Sequence, residues 1–402
     1  MRKWLSIVGI GEDGLAGVSP VARSLIAHAE VLVGGSRHLG MLPADKAPEK
    51  LTWTSPIATS IEAILRRRGQ AVCVLASGDP MCYGIGVTLT RRLAAAEMTI
   101  IPAPSAFSLA CARLGWALTD VETVSLCGRD PALLHAVLYP AARVLVLSAG
   151  PHTPALVAAS LTQHGFGNSH MVVLERMGGA HERMIEGTAA AWNATAVAEL
   201  NTIAITCMAD AGVTGWSRLA GLPDAAYHHD GQLTKREVRA ITLAALAPAP
   251  GQLLWDVGAG CGSIGIEWMR SHSRCRAIAI EPHSTRRQYI ADNAAALGTP
   301  NLQIIAGEAP AALRDLPPPD AVFIGGGLST AQLLATCWQA LRTGGRLVAN
   351  AVTVESEQML LQWHSQCGGE FTRIAIQRAE PIGKFLGWKA MVPVTQWAVT
   401  KT

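Results

Sequence analysis

The chain has 402 residues, half of them apolar and 16% charged, which is enough core for two domains and excludes the disordered class. Its net charge of +3 is too mild to argue for a nucleic-acid partner. Nine cysteines with no Cys-x-x-Cys and no Cys–His ligand spacing argue against a metal site and fit a reducing cytoplasm.

The apolar start is too short for a signal peptide, because Glu12-Asp13 interrupts it. A strand over 5–8 runs into Gly9-Ile10-Gly11-Glu12-Asp13-Gly14. The glycines match a dinucleotide loop. However, Glu12 and Asp13 occupy the phosphate positions and no acid ends the next strand, over 31–33, so the pattern reads as a tight turn. That strand leads to Gly34-Gly35-Ser36-Arg37-His38, and 57–68 has the spacing of an amphipathic helix. A buried strand over 71–76 precedes the loop Ser77-Gly78-Asp79-Pro80-Met81-Cys82-Tyr83-Gly84-Ile85-Gly86. A further strand over 99–102 is followed by Ala103-Pro104-Ser105-Ala106, which opens a helix. Strands over 121–126, 144–147 and 171–176 complete an α/β pattern. The charge-free stretch over 144–174 is broken by Gly, Pro, His, Gln and Asn and does not read as a membrane span.

Gly9-x-Gly11-x-x-Gly14, Gly78-Asp79-Pro80-x-x-x-Gly84, Pro102-x-Pro104-Ser105-Ala106 and Glu175-Arg176-x-Gly178, followed by Glu182 and Gly187-Thr188, resemble the tetrapyrrole methylases in order and spacing. The resemblance implies two α/β subdomains with S-adenosylmethionine (SAM) in a cleft between them. It gives cofactor-binding roles to Gly9, Gly11, Gly78, Asp79, Met81, Ser105 and Ala106. Val33-Gly34-Gly35-x-Arg37-His38-Leu39 resembles the branch that modifies C5 of a corrin precursor. Glu12-Asp13 departs from the Pro-Gly that many relatives carry, so neither acid is expected to hold a ligand.

Domains are expected over 1–209 and 231–402, with a linker over 210–230 where Gly212, Gly215, Gly221 and Pro223 break the periodicity. His228-His229 lacks a third ligand for a metal. Thr234 and Glu237 have capping-box spacing at the start of a helix. Lys235, Arg236 and Arg239 share a face of it, either a solvated face or an anion-binding one.

The strand Leu253-Leu254-Trp255-Asp256-Val257 ends in Gly258-Ala259-Gly260-Cys261-Gly262-Ser263-Ile264-Gly265, a glycine-dense turn into a helix. Spacing alone allows a dinucleotide or SAM. The carboxylate of Asp256 would repel a pyrophosphate but suits the sulfonium and ammonium of SAM. The next strand ends in Glu281, an acid placed to accept from ribose hydroxyls. Strands over 302–306, 320–324 and 347–349 end near Glu308 and Ala309, at Gly325, Gly326 and Gly327, and at Asn350. An antiparallel pair over 371–377 and 391–399 completes a doubly wound, Rossmann-like sheet, whose ligands bind beyond the C-terminal strand ends. Expected cofactor residues are Asp256, Gly258, Gly260, Gly262, Glu281, Glu308 and Ala309; Gly325, Gly326 and Asn350 leave room for a bulky flat acceptor.

This half resembles the decarboxylating C15 methyltransferases of cobalamin synthesis, through 234–239, 256–263 and Asn350-Ala351-Val352-Thr353. The two halves in this order resemble the bifunctional corrin enzymes. That resemblance implies two SAM sites, C5 and C15 methylation of precorrin-6B, and loss of the ring C acetate carboxyl to give precorrin-8. It also implies a cytoplasmic homo-oligomer. Lys235, Arg236 and Arg239, and more weakly Arg346 and Lys384, are candidates for holding substrate carboxylates. Asp79, Tyr83 or a water could accept the C5 proton, and Glu355 either contacts substrate or opens a helix. A cobalt-bearing acceptor stays open. An RNA or protein acceptor fits poorly, because the loop after the fourth strand lacks the prolines and aromatic of the nucleic-acid amino-methyltransferases.

Overall fold

The structure is a computed structural model that describes residues 3–43 and 48–402. It divides into two compact units. One comprises the chain through Pro131 with Tyr139–Thr214; the other comprises Gly215–Thr402 with Ala132–Leu138.

The first unit carries two five-stranded sheets. The strands β1 (Leu5–Ile10), β2 (Val31–Gly34), β3 (Glu49–Thr52), β4 (Val72–Ser77) and β5 (Met98–Ile101) form a parallel sheet in the order β3-β2-β4-β1-β5. β1 and β4 are buried along almost their whole length, as central parallel strands covered on both faces must be. The register Gly9↔Ala76 and Ile10↔Ser77 brings the loops after β1 and β4 side by side. The second sheet, β6 (Glu122–Ser125), β7 (Arg143–Leu147), β8 (His170–Glu175), β9 (Arg183–Thr188) and β10 (Asn201–Thr206), has the order β6-β7-β10-β8-β9 and is antiparallel except for β6 with β7. β3 and β10 were not expected from sequence. β3 is an exposed, polar edge; β10 is a short buried strand with threonines at both ends of its apolar part.

The second unit is a seven-stranded sheet. Its strands are β11 (Leu253–Val257), β12 (Arg276–Glu281), β13 (Gln303–Ala306), β14 (Ala321–Ile324), β15 (Arg346–Ala351), β16 (Glu370–Ile374) and β19 (Val394–Thr400), in the order β13-β12-β11-β14-β15-β19-β16. Only β19 runs antiparallel to its neighbours. Apolar clusters cover both faces, and Trp255, Trp268 and Trp397 are fully buried in them. A separate hairpin, β17 (Gln377–Ile382) with β18 (Phe385–Ala390), lies between β16 and β19 and was not expected.

The segment expected as a linker is, over 215–230, part of the second unit. Arg270 ties Trp216 O and Ser217 O, Asn293 ties His228, and a buried carboxylate gathers the rest. Glu267 accepts from Gly221 N (2.6 Å), Leu222 N (3.1 Å), Tyr227 Oη (2.8 Å) and Arg239 Nε (2.6 Å). Leu222 and Tyr227 join the core beside it. Among the described residues no helix is long and apolar enough to cross a membrane, and no cluster of His, Cys, Asp and Glu could hold a metal.

Candidate active sites

In the second unit the chain leaves β11 through Gly258, Gly260 and Gly262, at φ +71°, +60° and +81°. This left-handed region is cheap only for glycine, so the turn demands these residues. The loop is tied to the end of β12: Gly258 N and Ala259 N donate to Ile280 O, and Gly260 N donates to Glu281 Oε2 at 2.8 Å. Glu281 is buried, and its other oxygen accepts from His283 N at 3.1 Å. Gly258 meets the loop after β14 backbone to backbone, since a Cβ there would lie 3.1 Å from Gly326 N.

Beyond these strand ends lies a cavity of about 1070 Å³. Gly258, Gly260, Glu281, Glu308 and Ala309 line one wall; Gly325, Gly326, Gly327 and Asn350 line another. Lys235, His283, Arg286, Arg378 and Lys389 add cationic or titratable groups. The Asn350 amide is held from behind: it donates to Thr242 Oγ1 (3.0 Å) and accepts from Gln396 Nε2 (3.0 Å), and both partners are buried. Arg378 is held by Asp224 (3.1 Å) and Glu237 (2.5 Å), and these carboxylates, Glu237 first, raise its pKa further. Lys389 pairs with Glu380 at 2.8 Å and Arg286 with Asp230 at 2.8 Å.

In the first unit three loops interlock at the ends of β1, β4 and β5. A Cβ on Gly9 would lie 1.9 Å from Gly78 O and 2.5 Å from Ala103 N, and one on Gly78 would lie 2.9 Å from Pro104 O. Asp79 turns back on its own loop, Oδ1 accepting from Met81 N at 2.8 Å. Ser105 caps the helix Ala106–Leu114, accepting from Ser108 N at 3.1 Å. Met81 and Tyr83 are the exposed side chains of the loop. Tyr83 sits at φ +56°, an uncommon conformation for a bulky residue, with its ring edge-on to Phe107 and under the Arg129 guanidinium at 4.9 Å.

Residues 5–192 match the family of tetrapyrrole (corrin/porphyrin) methylases, and residues 225–401 match the precorrin methyltransferase domain. Over 398 residues, 99% of this chain and 96% of the relative, the sequence is 50% identical to a precorrin-6Y C(5,15)-methyltransferase [decarboxylating] from Sinorhizobium sp. The chain belongs to this family of decarboxylating precorrin-6Y C(5,15)-methyltransferases. A member from Mycobacterium tuberculosis (strain ATCC 25618 / H37Rv) is 44% identical over 98% of this chain and 99% of its own length. The crystal structure of the C-terminal domain of the Rhodobacter capsulatus precorrin-6Y C5,15-methyltransferase is 48% identical, covering 46% of this chain and all of that one, at a TM-score of 0.44.

Set against this family of enzymes, the sequence-based candidates divide. Gly258, Gly260, Glu281, Glu308, Ala309, Lys235, Gly325, Gly326 and Asn350 all line the cavity of the second unit. Asp256 does not. It is buried beneath the loop, where Oδ2 accepts from Gly265 N at 2.9 Å and Oδ1 has no hydrogen-bond partner. Burial pushes its carboxyl up to about 7, with Glu281 adding to the shift. Gly262 packs on Ile290, 3.0 Å from a Cβ there, and serves the turn rather than the cavity. Arg239 was a candidate either for a solvated helix face or for holding a substrate carboxylate. It is instead a fully buried core cation, bonded to Glu267, Thr234 O and Leu222 O and stacked over Tyr227. Arg236 is exposed and does not line the cavity. The capping box is absent: the helix Arg236–Leu246 begins after Lys235, and Glu237 bonds Arg378 instead. Arg346 bonds Ala245 O beside a separate small hollow, Lys384 is exposed in the hairpin turn, and Glu355 is an exposed first-turn acid of the helix Val354–Cys367. Sequence reasoning missed Arg378 and Lys389, which β17 and β18 bring to the cavity; the alternating charges of Arg378-x-Glu380 were the available signal.

Proposed function

We propose that each unit binds SAM and transfers its methyl to a carbon of one precorrin substrate, the first unit at C5 and the second at C15, with loss of the ring C acetate carboxyl as CO₂ in the second. The observation that carries this is the cavity of the second unit. At about 1070 Å³ it stands at the upper end of the roughly 300–1,000 Å³ of small-molecule pockets. It has room for a nucleoside cofactor against the glycine loop and a large acceptor against Gly325, Gly326 and Asn350.

The groups present fit SAM. Gly260 offers a wall that a side chain would close, with a Cβ 3.1 Å from Gln232 O, and Glu281 offers a buried carboxylate to ribose hydroxyls. Bound SAM supplies an electrophilic methyl on a sulfonium. The chain itself supplies positioning. Lys235, Arg286, Arg378 and Lys389 suit the acid side chains of the macrocycle, and Asn350, braced by Thr242 and Gln396, fixes one edge of the acceptor. When the acetate C–C bond breaks, CO₂ leaves and the electron pair passes through the conjugated ring to C15, which would displace the methyl from the sulfonium, the sulfur keeping the pair of the broken S–CH₃ bond; C15 then gives up its proton and the methylene left on ring C gains one. In the first unit the interlocked loops and the exposed Met81 and Tyr83 form the corresponding surface, and the proton lost from C5 passes to the Asp79 carboxylate, only one oxygen of which accepts from Met81 N, or to water, with the Tyr83 hydroxyl placed to relay it.

A second copy is the proposed cover for the β17–β18 hairpin, where Phe385 and Trp388 are 80% and 75% exposed beside Ile382 and Leu386. We assign such a homo-oligomer to the cytoplasm. Light scattering of Trp388→Lys should show smaller particles than wild type.

Equilibrium dialysis with labelled SAM tests the two-site assignment. Wild type should bind two per chain and Glu281→Ala one. A single site in the wild type, or none lost in the variant, contradicts it.

A further inference from the structure

The motif Gly34-Gly35-Ser36-Arg37-His38 has no part in the chemistry above, yet it builds a defined polar cluster. β2 ends at Gly34, and the short helix Ser36–Gly40 folds Arg37 and His38 over the end of the sheet. His38 is buried, and its Nε2 lies 2.8 Å from Arg37 Nη2 and 3.1 Å from Ser77 Oγ. A guanidinium only donates, so Nε2 accepts and the ring is neutral; burial and the adjacent Arg37 hold its pKa down to about 4. Arg37 Nη2 also lies 3.1 Å from Ser77 Oγ, and Ser77 immediately precedes the Gly78-Asp79-Pro80 loop. One edge of the guanidinium is thus clamped beside the proposed cofactor loop. Its other amino group, Nη1, is ion-paired with Glu12, and the Arg37 side chain remains 38% exposed.

Glu12 is delivered by the loop after β1, and a Cβ on Gly179 would come within 2.8 Å of its Cβ. Asp13, its neighbour, behaves differently: its carboxylate packs against Gly11 and Gly17 and serves the turn. Arg37 therefore already holds one carboxylate, at the lip of the loops where an acidic macrocycle would dock.

We propose, on the premise that the first unit methylates the tetrapyrrole, that Arg37 anchors a carboxylate of the acceptor and that Glu12 is an internal competitor which that carboxylate displaces. His38 and Ser77 are positioning residues that hold the guanidinium in place. A single carboxylate suits this role, because His38 and Ser77 take up Nη2 and leave Nη1, where Glu12 sits, as the amino group that an acceptor carboxylate would claim.

The two acidic and basic variants must then move in opposite directions. Full-length wild type, Glu12→Gln and Arg37→Met are compared in C5 methylation of reduced precorrin, with SAM affinity measured in parallel. Arg37→Met should raise KM for the acceptor about tenfold, the scale of one charge-assisted hydrogen bond, with kcat and SAM affinity kept. Glu12→Gln should lower KM, and the double variant should match Arg37→Met alone. A purely structural ion pair would make both single variants worse or leave both unchanged, and either result overturns the proposal. If wild type itself fails to methylate C5 while binding SAM, the premise fails instead. Should Arg37→Met not fold, Glu12→Gln decides by the sign of its KM change.

Discussion

Asp256 and Glu281 lie near the ends of adjacent parallel strands, yet only Glu281 reaches the cavity. The period-2 alternation of a strand puts Asp256 on the face of Leu254, which packs in the cluster with Ile264 and Trp268 of the helix Ser263–Ser271. Sequence made the acid and the glycines legible, but not which face of β11 the helix would cover. The buried position has a measurable consequence. A carboxyl whose folded pKa, about 7, lies above its unfolded value of roughly 4 binds more protons when folded, so its contribution to stability falls as pH rises from about 4 to 7 and is level above. The cost at pH 8 is on the order of a few kcal/mol. Asp256→Asn should therefore gain stability relative to wild type between pH 5 and pH 8 in thermal unfolding. A constant difference across that range would show that the carboxyl titrates normally.

At the scale of elements, the segment over 215–230 and the helix Arg236–Leu246 converge on one buried carboxylate, Glu267 of the helix Ser263–Ser271, with Arg270 and Asn293 holding the segment at further points. Glu267 has four donors, and Arg239 has no exposed surface. The glycines and the proline of this segment looked like a linker because local composition carries no record of a partner 45 residues away, as Leu222 and Glu267 are. Glu267→Ala leaves the buried Arg239 with only Asp224, at 3.5 Å, as counter-ion and should cost about 3–5 kcal/mol in denaturant unfolding of the full chain. A loss below about 1 kcal/mol would mean that water replaces the carboxylate. The β17–β18 hairpin was illegible for another reason: its exposed Phe385, Leu386 and Trp388 lack the in–out alternation of a half-buried strand. It nevertheless delivers Arg378 and Lys389 to the cavity. Arg378→Met should raise acceptor KM in C15 methylation roughly tenfold and leave C5 methylation unchanged. An equal loss in both reactions would place Arg378 outside the acceptor site.

The whole molecule joins two unlike α/β units, each with glycine loops at its strand ends. That much was readable from sequence, since the loops follow strong apolar strands, Gly78, Gly258, Gly260 and Gly262 adopt backbone angles few other residues tolerate, and Gly9 sits where a side chain would meet Gly78 O. The cationic wall was mostly not, because Arg286, Arg378 and Lys389 come together only through the fold. Two units with separate loops predict separable chemistry. The most direct measurement is mass spectrometry of the tetrapyrrole after incubation of reduced precorrin and SAM with wild type and with Glu281→Ala. Wild type should add two methyl groups and release one CO₂, and a folded Glu281→Ala should keep C5 methylation while losing C15 methylation and CO₂ release together. Two methylations without loss of CO₂ in the wild type, or loss of both methylations in the folded variant, would contradict the assignment.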